Sequence, residues 1–304
     1  MNLYFAGSSL SESSDWLVQE NCNRLFSWVV NKSELDRMVK LKRDGDYSGK
    51  LLIDSGAFTA HRQGTEVDVE SYIKLLNDYT DCAEAYAQVD TIPGQFGKPK
   101  TLEDKMKAPK LSWENYLYMR PQMKEPDKLM PIYHQGEDIK WLHNMLSATF
   151  EGSHVAYIGI SPANDQPQAA KNDFIAECFN VIKHSSNPKV MTHAYGMTNL
   201  RVLETFPFTS ADSTSWVLNA VNGSIMYNYR AIGMSEKSKI SGHFRGQPPA
   251  IQQRMEEELK QRGFSASELE TNYRERIRWN IYYLKRWAEN YQYKPVHNRR
   301  RSLV

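Results

Sequence analysis

Short apolar or β-rich runs alternate with helical stretches along most of this 304-residue chain, and that alternation limits the folds open to it. Strands are expected near 2–6, 51–55, 84–90, 129–134, 154–160, 189–194, 207–211 and 224–228. Helices are expected between them near 33–43, 68–79, 101–119, 138–148, 167–184 and 198–205. Strand and helix alternating at this spacing imply parallel β/α units. Eight candidate strands in the first 230 residues or so fit a (β/α)8 TIM barrel better than an open doubly wound sheet. Neither a Gly-rich dinucleotide fingerprint nor a P-loop follows any strand, which weakens the open-sheet alternative further.

The pattern changes after about residue 230. The stretches Ser235-Glu236-Lys237-Ser238 and Gly246-Gln247-Pro248-Pro249 are polar and turn-rich. Pro249 then opens a helix to about Arg262, and Ser265-Ala266-Ser267-Glu268 has the form of a capping box for the next. The chain therefore divides into a barrel over 1–230 and a loop with packing helices over 231–304. The net charge of +2 hides an asymmetry: residues 271–304 hold nine Lys/Arg against Glu275 and Glu289, leaving the remainder at −5. A basic segment on a slightly acidic body suits a polyanion, although a solvated helix face has the same composition.

Apolar residues make up 40% and charged residues 24% of the chain, as in an ordinary soluble globular protein. No apolar run approaches the roughly 20 residues that span a bilayer, so no membrane partner is expected. The N-terminus Met1-Asn2-Leu3-Tyr4-Phe5 lacks a basic n-region and a long apolar h-region. Cys22, Cys82 and Cys178 are odd in number and far apart, which argues against disulfides and CxxC zinc sites and fits a reducing cytoplasm.

In a barrel, polar groups at strand C-termini converge on one mouth. Six consecutive strand ends carry such groups: Asp54, Asp90, His134-Gln135-Gly136, Gly159-Ile160-Ser161, His193-Ala194-Tyr195-Gly196 and Asp212. Any one of them has an ordinary explanation, since Asp and Gly also form turns and caps. The series together marks a site, and two aspartates raise the question of a nucleophile working with an acid/base.

The collinear set resembles the guanine transglycosylases, enzymes that install 7-deazaguanines in nucleic acid and include the queuine tRNA-ribosyltransferases. Asp54-Ser55-Gly56-Ala57-Phe58 is similar to the family's Asp-Ser-Gly-Gly-Phe, and Tyr133-His134-Gln135-Gly136 to its Val-Gln-Gly-Gly. Tyr157-Ile158-Gly159-Ile160 resembles its glycine strand end beneath the base. His193-Ala194-Tyr195-Gly196-Met197 stands where the family has a hydrophobic-Gly turn, and Asp212 where its nucleophile is expected. No cysteine follows Cys178, so the Cys/Cys/Cys/His zinc subdomain of the tRNA enzymes is absent. Asp212 leads into Ser213-Thr214-Ser215 rather than Pro-Thr-Arg. A compact chain without zinc looks most like the phage-type DNA 7-deazaguanine transglycosylases, acting in the host cytoplasm if phage-encoded.

The resemblance implies a pentosyltransferase that needs no cofactor or metal, with DNA and a free 7-deazaguanine base as partners. Asp212 would attack C1′ and hold the deoxyribose covalently, and Asp54 would carry the proton. Asp90 would accept from guanine N1–H and its amine, while Gln135 and the Gly136 and Gly159 backbone address O6 and the 7-substituent. Phe58 or Tyr195 would sandwich the base, and His134 and His193 would touch sugar or phosphate. The target nucleotide must be single-stranded or flipped, its phosphates held by Arg274, Arg278, Lys285, Arg286, Arg299, Arg300 and Arg301. Three rivals stay open: exchange in tRNA, a metal-dependent hydrolase barrel ligated by His134, His193, Asp54 and Asp212, and a nucleic-acid-binding barrel without chemistry. Oligomeric state is left undetermined.

Overall fold

The computed structural model describes residues 1–7, 11–197 and 199–295. Thirteen strands lie among them: β1 (Asn2–Ala6), β2 (Asn23–Ser27), β3 (Leu51–Asp54), β4 (Ala83–Ala87), β5 (Leu129–Met130), β6 (Ile132–His134), β7 (Thr149–Phe150), β8 (Ser153–His154), β9 (Tyr157–Ser161), β10 (Met191–Ala194), β11 (Ser210–Ser213), β12 (Ser224–Tyr227) and β13 (Arg230–Gly233). The helices are α1 (Ser11–Gln19), α2 (Trp28–Asp44), α3 (Ala57–Arg62), α4 (Val69–Asp78), α5 (Leu102–Met119), α6 (Lys140–Ser147), α7 (Gln168–Lys183), α8 (Leu200–Thr205), α9 (Ser215–Val221), α10 (Pro249–Gln261), α11 (Ala266–Thr271) and α12 (Tyr273–Glu289). None of them is long and apolar enough to cross a membrane.

Nine strands form one sheet in the order β5-β4-β3-β2-β1-β11-β10-β9-β6. All its pairings are parallel. Its two edges, β5 and β6, are neighbours in sequence with only Pro131 between them. Leu129 and Met130 pair with β4, while Ile132–His134 pair with β9, so the sheet curls round nearly to closure. Proline explains the break: its carbonyl still accepts from Gly159 N at 2.8 Å, but it has no N–H for the rung beside it. Parallel strands bring all their C-terminal ends to one mouth.

Two expectations need correction. The stretch near 224–228 is extended but does not join this sheet; β12 pairs antiparallel with β13 through Asn228 and Tyr229, both at positive φ. The place it was expected to fill is taken by β2, whose sequence Asn23-Arg24-Leu25-Phe26-Ser27 reads as half polar. Arg24 is nevertheless buried, with its guanidinium 4.6 Å from the Phe26 ring centre and donating to Ser14 Oγ at 3.1 Å. The other strands fall within a few residues of their expected places.

The interior of the curled sheet is small and apolar, with Tyr4, Leu25, Leu52, Met130 and Tyr157 among its members and Tyr195 packed on them. A larger core between sheet and helices takes in Ile53, Tyr72, Trp216 and, from α12, Ile277, Ile281 and Leu284. A third cluster joins β12–β13 to the last helices around Trp279. Asn280 ties these parts together: its amide donates to Trp216 O at 2.9 Å and accepts from Met226 N at 2.7 Å. The last helical stretch breaks at Asn272, which caps α12, and Ser265 makes no side-chain cap to α11.

Candidate functional site

Asp54 is the last residue of β3, and its carboxylate bends back to accept from Gly56 N at 3.0 Å. Gly56 has φ +80°, and a Cβ there would lie 2.5 Å from Ser27 Oγ and 2.9 Å from Val29 Cβ. The glycine of the Asp-Ser-Gly run is thus required both by conformation and by the neighbouring loop. Packing strips water from the Asp54 carboxyl and pushes it up to about 7; the Gly56 amide opposes this, and the charges of Asp90 and Asp212 add to it. A carboxyl poised there can both give and take a proton at neutral pH.

Asp90 lies three residues beyond the end of β4, in the loop rather than at the strand end. Helix α5 fixes that loop, with Asn115 Nδ2 donating to Val89 O at 2.9 Å and Ser112 Oγ accepting from Thr91 N at 2.9 Å. Gln88 Nε2 donates to Asp90 Oδ1 at 2.8 Å, and His134 Nε2 meets Asp90 Oδ2 at 3.0 Å. Burial opposes a charge on His134, yet the Asp90 carboxylate beside it, helped by Glu137 and Asp54, raises it to about 9. Burial likewise pushes Glu137 up to about 7 against the pull of His134. His134 therefore serves Asp90 rather than standing free for a sugar or phosphate.

Asp212, in β11, is 6% exposed. Its Oδ1 accepts from Gly196 N at 2.7 Å and meets His193 Nε2 at 3.3 Å. The other ring nitrogen of His193 lies 2.5 Å from Ser210 Oγ, which in turn is hydrogen-bonded to Tyr157 Oη. Donor accounting gives the chain one direction. If His193 donates from Nε2 to the carboxylate, its Nδ1 accepts from Ser210 O–H, and Ser210 accepts from Tyr157 O–H. Asp212 is left with one oxygen tied twice and, among the described residues, Oδ2 without a donor. His193 is wholly buried, so the expected contact with sugar or phosphate is corrected to support of Asp212 from below.

Two further expectations change. Gly159 donates its N–H to Pro131 O, so that group cannot address a base. Its missing side chain instead admits Tyr195, since a Cβ would stand 2.6 Å from Tyr195 Cε2. The Gln135 amide is engaged at both ends, accepting from Ala163 N and donating to Ala170 O, each at 3.0 Å. It clamps the loop after β9 to α7 and retains a single N–H. Gly136, at φ +98°, has open space about it. Tyr195 lies edge-on to His193 at 4.5 Å, its hydroxyl within reach of the charges of Asp54, Asp90 and Asp212. Tyr195 Oη and Gln88 Oε1 are buried without a hydrogen-bond partner among the described residues. Phe58, on α3, is 59% exposed.

The structure thus gathers Asp54, Asp90, His134, Tyr195 and Asp212 at one mouth. It does not bring the basic segment there as free charge. Arg274 pairs with Glu12, Arg278 with Glu275, Lys285 with Glu20, Arg286 with Glu289 and Lys294 with Glu204. Arg276 is buried and donates to the carbonyls of Ala220 and Leu269. Arg299, Arg300 and Arg301 lie outside the described residues. Among the described residues, no group of three or more His, Cys, Asp and Glu side chains is placed to hold a metal ion. Sequence reasoning missed Gln88, Glu137, Tyr157 and Ser210. Gln88, Tyr157 and Ser210 each stand two positions before a residue that it did select, on the same side of the chain, and that period is the available signal. No protein-family model matches the chain, and no curated protein matches it either.

Proposed function

We propose that this chain is a base-exchange transglycosylase that replaces guanine in DNA with a free 7-deazaguanine. In this reading β5 and β6 form one stave bent at Pro131, making the sheet an eight-stave (β/α)8 barrel. The observation that carries the reading is the division of labour between the two aspartates. Asp212 has one oxygen held by His193 and Gly196 and the other, among the described residues, unheld, while Asp54 sits near neutrality in the same mouth. The motifs that resemble the guanine transglycosylases supply the substrate class. The unpartnered hydroxyl of Tyr195 and amide oxygen of Gln88 suit a polar base between the carboxylates.

Asp212 Oδ2 attacks C1′ as the glycosidic C1′–N9 bond breaks toward the base, and Asp54 gives its proton to the departing guanine. The incoming 7-deazaguanine then loses its N9 proton to the Asp54 carboxylate. N9 takes C1′, and the ester bond breaks to restore Asp212. Asp90, steadied by Gln88 and His134, accepts from N1–H and the exocyclic amine, which adenine cannot match.

The test is to incubate the protein with guanine-containing single-stranded DNA and look for a covalent adduct in denaturing gels. Wild-type protein and Asp54→Asn are each expected to trap or exchange measurably more than Asp212→Asn, which forms no adduct. Radiolabelled guanine entering tRNA but not DNA would reassign the polymer. Neither adduct nor exchange with either polymer would overturn the reading.

A further inference from the structure

Five of the described cations that make no ion pair lie on the segments that follow β3 and β4, on the C-terminal side of the strands. Arg62 ends α3, Lys98 and Lys100 lie in the loop after Asp90, and Lys105 and Lys107 follow in the first turns of α5. None of the five makes an ion pair, whereas every described cation of residues 271–295 is either ion-paired or buried against carbonyls. The segments after β2, β3 and β4, mostly the first turns of α2, α3 and α5, expose large apolar groups: Val29 36%, Val30 55%, Phe58 59%, Phe96 58%, Leu102 75% and Met106 66%. Across the described residues thirteen large apolar side chains are exposed, so nearly half gather on these three successive segments.

Contacts join these segments into one rim. Val29 abuts Gly56, Phe58 lies two residues further along, and the Arg62 guanidinium stands 5.5 Å from the Phe96 ring centre. Asp104, one of two acids in the first turn of α5, is engaged by Thr101 in a capping box. Exposed flat rings interleaved with unpaired cations, beside carboxylates that need a base, match one kind of partner. Bases stack on aromatic faces irrespective of sequence, and phosphates meet the cations. A protein partner would need carboxylates set between apolar groups to match this surface, whereas a nucleic-acid strand brings phosphates and flat bases together in every nucleotide.

We propose that the rim of Phe58, Arg62, Phe96, Lys98, Lys100 and Lys105 binds single-stranded nucleic acid and leads it into the mouth. The choice of polymer rests on the base-exchange reading; the surface itself rests on exposure and charge. Binding is measured in the Asp212→Asn background, where no covalent chemistry contributes, by anisotropy of a fluorescent guanine-containing 15-mer DNA strand. The pairs Phe58→Ala/Phe96→Ala and Lys98→Glu/Lys100→Glu are each expected to weaken it about tenfold or more. The lysine pair is also expected to lower the salt slope by one to two, about 0.7 per phosphate contact. The pair Lys285→Glu/Arg286→Glu is expected to stay within twofold. Circular dichroism confirms folding of each variant; the altered rim positions and Arg286 are exposed and Lys285 is half-buried.

Unchanged binding in both rim pairs, loss of binding in the α12 pair alone, or equal affinity for the same sequence as a duplex would each overturn the proposal. So would self-association by light scattering that the phenylalanine pair abolishes while DNA binding persists, since the rim would then be a dimer face. Rim-dependent binding without any covalent adduct in the wild type would leave this surface standing and remove the base-exchange reading instead.

Discussion

Asp54 is set by its two following residues and by the loop of a neighbouring strand. Gly56 carries both the amide that holds the carboxylate and the positive φ that aims it. Replacing it with Ala adds conformational strain and a clash with Ser27 and Val29, an expected loss of about 1–3 kcal/mol. Urea unfolding measures that loss, and exchange activity should fall by more than the unfolded fraction explains. Asp54 also leaves a mark on stability against pH. Its folded value is raised, so its contribution is full below the ordinary carboxylate value and is lost as pH rises through about 7. Asp54→Asn should therefore flatten the stability curve between about pH 4 and 7, by at most about 4 kcal/mol. Glu137, raised for the same reason, keeps part of the slope. Activity should show the corresponding descending limb near pH 7, where the proton donor is lost.

At the scale of elements, the chain from Tyr157 through Ser210 and His193 to Asp212 crosses β9, β10 and β11. Ser210→Ala leaves Nδ1 of His193 without its donor and frees the ring to change tautomer. An approximately tenfold or greater fall in adduct formation is expected while affinity for the strand is kept. Adduct formation that stays at the wild-type rate would make the serine merely structural. The strand places and the strand-end acids were legible beforehand, but little of this hydrogen-bonded relay was. Asp54, Asp212 and His134 stand out because polar residues ending apolar runs are conspicuous. Ser210 and Tyr157 lie inside such runs and acquire meaning only when the register puts them on the inner side. Strand β2 hid for a related reason, since its buried Arg24 looks like a surface residue until Ser14 and Phe26 are seen around it. The stretch 224–227 was correctly read as extended, but an isolated strand pattern says nothing about which sheet will pair with it. Asn280 offers a test of how these elements hold together: Asn280→Ala leaves Met226 N buried without its side-chain acceptor and takes the amide donor from Trp216 O. About 1–3 kcal/mol of stability should go with them, by thermal or urea unfolding.

For the whole molecule, the distribution of charge matters more than its total. The basic C-terminal segment invited a nucleic-acid role from composition alone, but composition cannot show that Glu12, Glu20 and Glu204 from distant parts of the chain lie opposite it. High salt should accordingly change stability little, since exposed pairs are worth about 0–1 kcal/mol each. The His134–Asp90 pair acts in the opposite pH direction to acid-range pairs. With His134 raised to about 9, its contribution is full below the ordinary histidine value and fades as pH climbs through 9. Melting temperature should decline over that range in the wild type, and less so in Asp90→Asn.

Pro131 has one more consequence. A nearly closed ring of strands has no free edge except where a rung is missing, and here the gap falls between β5 and β6, directly below the stretch that carries His134. Any slow breathing of the cylinder should begin along that line, as a zip parts at its missing tooth. Amide deuterium uptake would then be faster at Ile132 and Tyr133 than at the similarly buried Leu52 and Ile53 of β3, which is paired on both sides. Such a seam would let the mouth widen on one side while the wall bearing Asp212 stays shut.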